Sequence, residues 1–382
     1  MKSSGVSQSS DRATGLELIC VGLALTLLVL AADVYCYGRG FILYYGDAEA
    51  HLNISRSVID SRTPGYDQLG SVWLPVLHVL CLPFVGSDVL WSSGLAGTIP
   101  VSLCFVIAGL FLYSAGKLTY ASSLAATVVL ACFALNPNLL YLAAIPMTEL
   151  VFLAGLALLL YAGISFQRDN GQRAFWFGVF SCWWVSLTRY EGWFLIPFAA
   201  AWFGFSARRK RLWTSIAFVS FASLAPIYWL AHNWFITGNP FDFFNGPYSP
   251  HAIQGNRNYP GYHDWKTAFA YYTEAAKLCA GPCLLIFGAV GLLLSRFRHT
   301  LLAVAFLLLP LLFYVWSIHS SSVPVFVPTL WPNSYYNTRY GIVAVVWAAF
   351  ACGAIVMAVP ARWRRFALVL PVLVLSPWLI HP

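Results

Sequence analysis

The run LELICVGLALTLLVLAADVYCY, residues 16–37, decides the class of fold, because it is long enough to cross a lipid bilayer as one helix. It follows a short polar start, and no small-residue cleavage pattern comes after it. This pattern predicts a retained transmembrane helix and not a cleaved signal peptide. The whole chain has the same character: 59% of its 382 residues are hydrophobic and only 9% are charged, whereas a soluble domain carries about 25% charged residues. The sequence therefore predicts an all-α, polytopic membrane helix bundle.

The apolar runs predict about eleven transmembrane helices within a single transmembrane domain, 1–382, without an internal repeat. Pro75 and Pro83 interrupt the segment 71–85, which we therefore expect to be re-entrant or interfacial. The predicted helices cover about 16–37, 88–114, 121–136, 148–166, 174–188, 193–206, 212–234, 279–295, 300–317, 340–359 and 366–381.

The formal net charge of +8 indicates membrane topology and not a nucleic-acid partner. With the polar start on the inner side, the short inner segments hold most of the 22 basic residues, and the outer side holds most of the acidic ones. This bias is the positive-inside rule, and it fixes the predicted orientation. The inner basic residues are Lys2, Arg12, Lys117, Arg168, Arg173, Arg208, Arg209, Lys210, Arg211, Arg296, Arg298, Arg362, Arg364 and Arg365, and the acids among them are Asp11, Glu17 and Asp169.

The outer loops are long and rich in polar and aromatic residues, and we expect loops 38–87, 235–277 and 318–339 to form the active-site face. Irregular backbone near lipid is costly unless it lines a cavity or packs on protein, so elaboration on one side predicts a site there. The segment DAEAHLNISRSVID in the first loop is predicted to be a short helix at the membrane surface. The compact loops favour a bacterial cytoplasmic (inner) membrane with the active site facing the periplasm or exterior.

The stretch YYGDAEAH, residues 44–51, gathers two carboxylates and an imidazole directly after the first apolar run. In one interpretation, Asp47 caps a surface helix and Glu49 lies in its first turn, where the helix dipole favours acids. In the other, a carboxylate outside the membrane takes a proton from a nucleophile, with a divalent cation (Mg or Mn) between the acids. His51 is a further candidate for supporting an acceptor or metal.

Charged residues also interrupt apolar sequence at outer helix ends. Glu149 lies in IPMTEL, and Arg189 and Glu191 lie in LTRYEGW. A structural salt bridge is one interpretation, but ionisable groups at membrane depth are costly and are often functional. Two glutamates outnumber the one arginine of these motifs, so one carboxylate is left to face another group.

Two further outer motifs supply candidates. Arg339 in NSYYNTRYG is placed to bind an anion, or alternatively snorkels beside Tyr336 and Tyr340 in an interfacial aromatic belt. His263 and Asp264 in NYPGYHDW are cleft candidates whose spacing matches no zinc site. The nine cysteines lie almost entirely in apolar runs without a CxxC motif, which favours buried thiols.

The motifs GDAEAH, MTEL, TRYEGW and YYNTRYG resemble those of C-type (GT-C) glycosyltransferases, integral membrane enzymes that use lipid-linked sugars. The resemblance covers about 40–360 and is to bacterial relatives of protein O-mannosyltransferases and lipid A aminoarabinose transferases. It implies that Asp47 is the catalytic base or a metal ligand, that Glu49 is the second acid, and that Glu149 helps to hold a metal or the acceptor.

The resemblance also implies a reaction. A polyprenyl-phosphate sugar already has a good leaving group, so one base that activates the acceptor is sufficient, and in-line attack inverts the anomeric carbon. The acceptor is a lipid, a glycan or a protein. Arg339, Arg189 or a cation would stabilise the departing phosphate. The supporting residues are Tyr336 and Tyr340 at the phosphate, Glu191 and His51 at the acceptor or metal, and Trp73 and Trp91 in a groove for the isoprenoid tail.

Two other functions stay open at this point. A transporter or flippase of a lipid-linked or small polar substrate would be expected to show repeats and broken helices near the membrane midplane, whereas here the polar residues are concentrated on one side. A ligase that transfers a whole glycan from a polyprenyl carrier would use a similar site. The chain has no Walker loop and no nucleophile elbow.

Overall fold

Helices make up almost all of the computed structural model, which describes residues 12–255, 257–295, 298–321 and 323–380, and the side chains of all of these except 298 and 299. The predicted inner residues Lys2, Asp11 and Arg296 lie outside these ranges. The only β pairing among the described residues is one isolated bridge between Phe326 and Tyr336. The all-α fold class predicted from the sequence is therefore confirmed.

Twenty α-helices follow one another along the described chain. The first ten are α1 (Gly15–Gly38), α2 (Gly46–Ile59), α3 (Val76–Val85), α4 (Asp88–Ser92), α5 (Leu95–Tyr120), α6 (Ser123–Ala134), α7 (Pro137–Ala143), α8 (Thr148–Asp169), α9 (Gln172–Ser186) and α10 (Glu191–Ser206). The others are α11 (Arg211–Ala222), α12 (Leu224–Thr237), α13 (Asp242–Asn245), α14 (Pro250–Gln254), α15 (Trp265–Ala280), α16 (Pro282–Leu294), α17 (Arg298–Phe306), α18 (Leu309–Ser320), α19 (Val343–Ala358) and α20 (Val369–Ile380). Short 3₁₀-helices cover Tyr66–Leu69, Thr338–Ile342 and Ala361–Leu368.

Seven segments of the described chain are long and apolar enough to cross a membrane, and the number rises to nine if each of two bent helix pairs counts as one span. The α6–α7 pair bends by 67° and the α15–α16 pair by 106°. Helices α9 and α10 have only 15 and 16 residues, below the roughly 20 that a straight span needs. The chain is thus a multi-pass membrane protein, and the count of eleven spans stays a prediction.

Several predicted boundaries are corrected by local backbone chemistry. The run 88–114 divides into α4 and α5 because Gly94 adopts a left-handed conformation with φ of 85°. The run 121–136 ends earlier because Asn136 caps a new helix, α7, that begins at Pro137. The run 279–295 begins only at Pro282, after Gly281 breaks the chain with φ of 77°.

The first outer loop folds largely as predicted. Helix α2 covers the segment expected to lie at the surface, and it buries Ala48, Leu52 and Ser55 on one stripe. Helix α3 begins directly after Pro75 and has 10 residues, too few to cross a bilayer. It packs against α2 and α5, so the segment 71–85 is not a span.

Helix α8 connects two chemically different ends of the bundle. It is buried on nearly all sides, as expected of a helix that is apolar all round. At about 1.5 Å per residue, its 22 residues separate Glu149 from Asp169 by about 30 Å. Asp169 pairs with Arg12, which precedes α1. Glu17 in the first turn of α1 forms a 2.6 Å ion pair with Lys117 near the end of α5. We call this the basic end and the end at Glu149 the acidic end.

Candidate active site

A cavity of about 590 Å³ opens at the acidic end. Its charged lining residues are Asp47 of α2, Glu191 at the start of α10, Arg189 just before it, and Arg339 in the 3₁₀-helix before α19. These residues come from three of the motifs recognised in the sequence, GDAEAH, TRYEGW and YYNTRYG. Segments from distant parts of the chain therefore converge on one site.

Five charged side chains form a continuous chain of ion pairs with alternating sign. Glu191 pairs with Arg189 at 2.7 Å, and Arg189 pairs with Glu149 at 2.9 Å. Glu149 pairs in turn with Arg339 at 3.0 Å, and Arg339 pairs with Asp47 at 2.5 Å. Buried charges are tolerated when each one is paired and hydrogen-bonded in this way. We call this set the charge chain.

Glu149 is the central acid of the charge chain. Its side chain is only 2% exposed, and its Oε1 accepts hydrogen bonds from both Arg189 and Arg339. The other oxygen, Oε2, is buried without a hydrogen-bond partner in the part of the chain that the structure describes. Glu149 therefore sets the positions of both arginines.

Arg189 donates to protein groups through all three of its guanidinium nitrogens. Besides its two glutamates, it donates to the Thr148 hydroxyl at 2.8 Å and to the Tyr314 hydroxyl at 2.7 Å. The Tyr314 hydroxyl also donates to Glu191. With all three guanidinium nitrogens in use, Arg189 acts here as a structural cation. This pairing agrees with the salt-bridge interpretation of the TRYEGW motif.

The end of the charge chain formed by Asp47 and Arg339 is more open. The Asp47 side chain is 40% exposed, and only its Oδ2 accepts a hydrogen bond among the described residues. Arg339 donates through Nε and Nη2, which leaves Nη1 for a further acceptor. Asp47 does not cap α2, because Tyr45 holds that position and makes no side-chain cap hydrogen bond. The capping interpretation of Asp47 is therefore wrong, although Asp47 does lie in the first helical turn.

The ring of Tyr340 contacts both arginines, and the neighbouring Gly341 helps to position Arg339. Tyr340 presents its ring to both guanidiniums, at 5.1 Å from Arg189 and 5.5 Å from Arg339, and such cation–π contacts stabilise buried cations. A methyl group at Gly341 would lie 2.4 Å from the carbonyl oxygen of Ala275. Only glycine allows the 3₁₀-helix that carries Arg339 to approach α15 so closely.

His51 lies one helical turn from Asp47 on α2 and lines the same cavity. Its Nδ1 is 2.9 Å from Nε2 of His78, and its ring lies 4.5 Å from the ring of Trp73. Burial lowers the pKa of His78 to about 4, and burial, with smaller contributions from His78 and the arginines, lowers the pKa of His51 well below 6.5. Both imidazoles are therefore neutral at pH 7.

Four predicted site residues and Trp91 do not line the cavity, and neither does Glu149, which pairs with two arginines that do. Glu49 is exposed, two positions from Asp47 and so on another face of α2. Tyr336 forms the bridge with Phe326. His263 lies against Tyr262 and His319. Asp264 caps α15, where hydrogen bonds from Thr267 lower its pKa. Trp91 donates a hydrogen bond to Asn53.

The acids do not form a cation site. The Arg339 guanidinium lies between Asp47 and Glu149, and Glu49 is exposed on another face of α2. Within the described ranges, no group of three or more His, Cys, Asp or Glu side chains could hold a metal. These residues therefore do not fit the predicted Mg or Mn ion, whose use stays a prediction that activity after chelation would test.

The other half of the cavity is aromatic and was not recognised in the sequence. Phe243 stacks on Tyr190 at 4.7 Å, and Phe241 and Trp316 line the same space. The loop that carries Phe243 is tied to the first outer loop by a 2.5 Å hydrogen bond from Ser71 to Asp242. The run FDFF, 241–244, was the available signal. Tyr314 and His78 had none, because each lies within an apolar run.

The fold has a counterpart among solved structures. The crystal structure of ArnT from Cupriavidus metallidurans bound to undecaprenyl phosphate matches 93% of this chain with a TM-score of 0.61 and 15% sequence identity. The chain spans 64% of the length of that protein. No protein-family model and no curated protein matches the sequence. The chain thus shares the polytopic helical fold of that protein.

Proposed function

We propose that the chain is a membrane glycosyltransferase that moves a sugar from a polyprenyl-phosphate donor to a lipid, glycan or protein acceptor. The observation that carries this proposal is the Asp47–Arg339 pair at the cavity. It places a half-exposed carboxylate 2.5 Å from a guanidinium with an uncommitted nitrogen. The pair offers a base and an anion-binding group to the same bound molecule.

The reaction assigns one role to each group. The acceptor hydroxyl attacks the anomeric carbon, and its proton passes to Asp47 as general base. The bond from the anomeric carbon to the phosphate oxygen breaks, and its electron pair leaves with the phosphate. Attack opposite the leaving group inverts the anomeric carbon.

Arg339 is the proposed phosphate-binding residue. Its Nη1 has no protein acceptor among the described residues, and a guanidinium can donate in parallel to two phosphate oxygens. Arg189 and Tyr340 are positioning residues in this proposal, because Arg189 donates to Glu149 and three other protein groups and the Tyr340 ring lies against Arg339. Glu191 in turn orients Arg189.

The aromatic half of the cavity fits the isoprenoid part of the donor. Phe241, Phe243 and Trp316 offer apolar surface next to the charged groups, as an anionic lipid requires. The ArnT structure supports a donor of this class, since undecaprenyl phosphate is bound to that protein. We place the reaction on the outer face of a bacterial inner membrane, because the cavity lies at the end of the bundle opposite the basic residues.

The first test is Asp47→Asn in purified protein reconstituted into liposomes with undecaprenyl-phosphate-linked monosaccharides and a cell-envelope acceptor extract. Removal of the base should lower transfer about 10²- to 10⁴-fold, measured as covalent product by mass spectrometry. Asp60→Asn, which changes an exposed acid at the end of the same helix, is the matched control and should keep wild-type activity.

The same assay separates the alternatives. Full activity of Asp47→Asn would remove Asp47 as the base. Movement of substrate across the liposome membrane without a covalent product would identify a transporter. Transfer of an oligosaccharide, with no transfer of single sugars, would identify a ligase.

A further inference from the structure

Two buried histidines, one of which lines the cavity, have no role in the reaction as described above. His51 is 4% exposed and His78 is 0% exposed. They are joined by a 2.9 Å hydrogen bond between His51 Nδ1 and His78 Nε2. Since both imidazoles are neutral, only one of these two nitrogens carries the shared proton. The position of that proton decides what His51 presents to the cavity.

The surroundings of His78 settle the position of the proton. Its other nitrogen, Nδ1, is buried with no hydrogen-bond partner in the described part of the chain. A proton on that atom would leave a buried N–H donor unpaired, and orphaned donors are rarer in proteins than orphaned acceptors. His78 therefore carries its proton on Nε2 and donates it to Nδ1 of His51.

The consequence reaches the cavity through His51. A neutral imidazole that accepts at Nδ1 carries its own proton on Nε2. His51 lines the cavity, and its Nδ1 is occupied by His78, so the nitrogen available to a bound molecule is this Nε2–H donor. It lies one helical turn from Asp47, on the same face of α2.

The neighbours of His51 indicate what it binds. Trp73 lies against its ring and lines the same cavity. The negatively polarised face of an indole attracts the C–H groups of a sugar ring, and a neutral N–H donor suits a hydroxyl oxygen. An anionic phosphate is better served by Arg339.

We propose that His51, held in its Nε2–H tautomer by His78, donates a hydrogen bond to a hydroxyl oxygen of the sugar that is transferred. This inference rests on the proposed glycosyltransferase function and names a sugar-binding residue for it. His78 is a positioning residue, because it acts only through His51.

The tautomer can be tested without activity. The protein labelled with ¹⁵N-histidine is reconstituted in nanodiscs and studied by solid-state NMR, with the His51 and His78 signals assigned by their loss in His51→Asn and His78→Gln. Protonation of Nε2 in both rings is expected. Protonation of His51 at Nδ1 would overturn the proposal.

Two substitutions separate sugar binding from folding. Asn at position 51 keeps an acceptor near the place of Nδ1 and loses the donor at Nε2, whereas Gln keeps a donor near Nε2 and abandons His78. His51→Asn should therefore keep a thermal midpoint close to wild type and bind undecaprenyl-phosphate monosaccharides about tenfold more weakly. His51→Gln should be less stable but bind them more tightly than His51→Asn does. If the less stable variant, His51→Gln, also bound the sugar-linked carrier more weakly than His51→Asn, the sugar contact would be refuted.

Binding of undecaprenyl phosphate without a sugar separates a failure of the His51 proposal from a failure of the glycosyltransferase proposal. His51→Asn should bind this bare carrier as wild type does. An equal loss of affinity for the bare and the sugar-linked carrier would overturn the sugar contact of His51 but not the glycosyltransferase proposal. A wild-type protein that binds no member of a panel of glucose, mannose, N-acetylglucosamine and arabinose derivatives more tightly than the bare carrier would overturn the glycosyltransferase proposal, and the sugar contact with it.

Discussion

Glu149 shows how a single buried carboxylate organises the candidate site. It contacts both arginines through one oxygen and is almost completely buried. Asp47, at the end of the charge chain, has one arginine partner and is partly exposed. The two acids should therefore respond differently to neutralisation.

We expect Glu149→Gln to destabilise the protein by about 3–5 kcal/mol, because it removes one partner of two buried ion pairs. Asp47→Asn should cost far less, since its carboxylate is partly hydrated. Thermal unfolding of the detergent-solubilised variants measures the difference. A smaller shift for Glu149→Gln than for Asp47→Asn would contradict the central role of Glu149.

The histidine pair predicts how stability depends on pH. His51 and His78 have lowered pKa values in the folded protein, that of His78 being about 4, while unfolded histidine titrates near 6.5. The unfolded state therefore binds more protons between these values, and stability falls as the pH drops from about 6.5 towards 4.

His78→Gln provides the comparison. Glutamine keeps an N–H donor for His51 but cannot titrate, so the variant should lose less thermal stability than wild type between pH 7 and pH 5. Equal losses in the two proteins would show that other groups cause the acid sensitivity.

At the scale of elements, glycines at close contacts position the functional side chains. Gly341→Ala would push the 3₁₀-helix that carries Arg339 away from the backbone of Ala275. We expect a destabilisation of about 1–3 kcal/mol, typical of overpacking, together with loss of transfer as Arg339 shifts. Thermal unfolding and the transfer assay measure the two effects.

The matched control is Gly46→Ala. A methyl group at Gly46 would meet nothing within 4 Å, although Gly46 begins α2 directly beside Asp47. This variant should keep both stability and activity. A similar loss in both variants would mean that the close contact at Gly341 is not the cause.

The sequence predicted the elements better than their ends. Every predicted apolar run contains a helix, because length and hydropathy determine helices in a membrane. The ends depend on single residues such as Gly94 and Gly281, whose positive φ angles the length and hydropathy of a run do not show. The long motif loops predicted which segments would converge on the cavity.

At the site itself, the sequence predicted the charged residues but not the buried polar residues that hydrogen-bond to site residues. Asp47, Glu191, Arg189 and Arg339 stood out because charge is rare in this chain. Tyr314 and His78 lie in apolar helices, where nothing local distinguishes a buried polar side chain from its neighbours. Glu49 was assigned to the site because it stands close to Asp47 in sequence, although residues two positions apart on a helix lie on different faces.

At the scale of the whole molecule, the separation of basic and acidic ends predicts sidedness. In a variant that lacks the two cysteines that are not fully buried, Cys20 and Cys283, Asp60→Cys should react with a membrane-impermeant maleimide in spheroplasts. Arg209→Cys, at the basic end, should react only after lysis. The reverse pattern would place the cavity in the cytoplasm and contradict the proposed location of the reaction.

The charge chain also bears on how the spent carrier leaves. In the proposed reaction a phosphodiester becomes a phosphomonoester and gains one negative charge, while Asp47 loses one by taking the proton. Both groups adjoin Arg339, so the total negative charge next to Arg339 and Arg189 is unchanged during transfer. Once Asp47 passes its proton to water, that balance is lost and like charges repel across Arg339. Restoring the base for the next cycle would thus itself expel the lipid phosphate, linking turnover to product release.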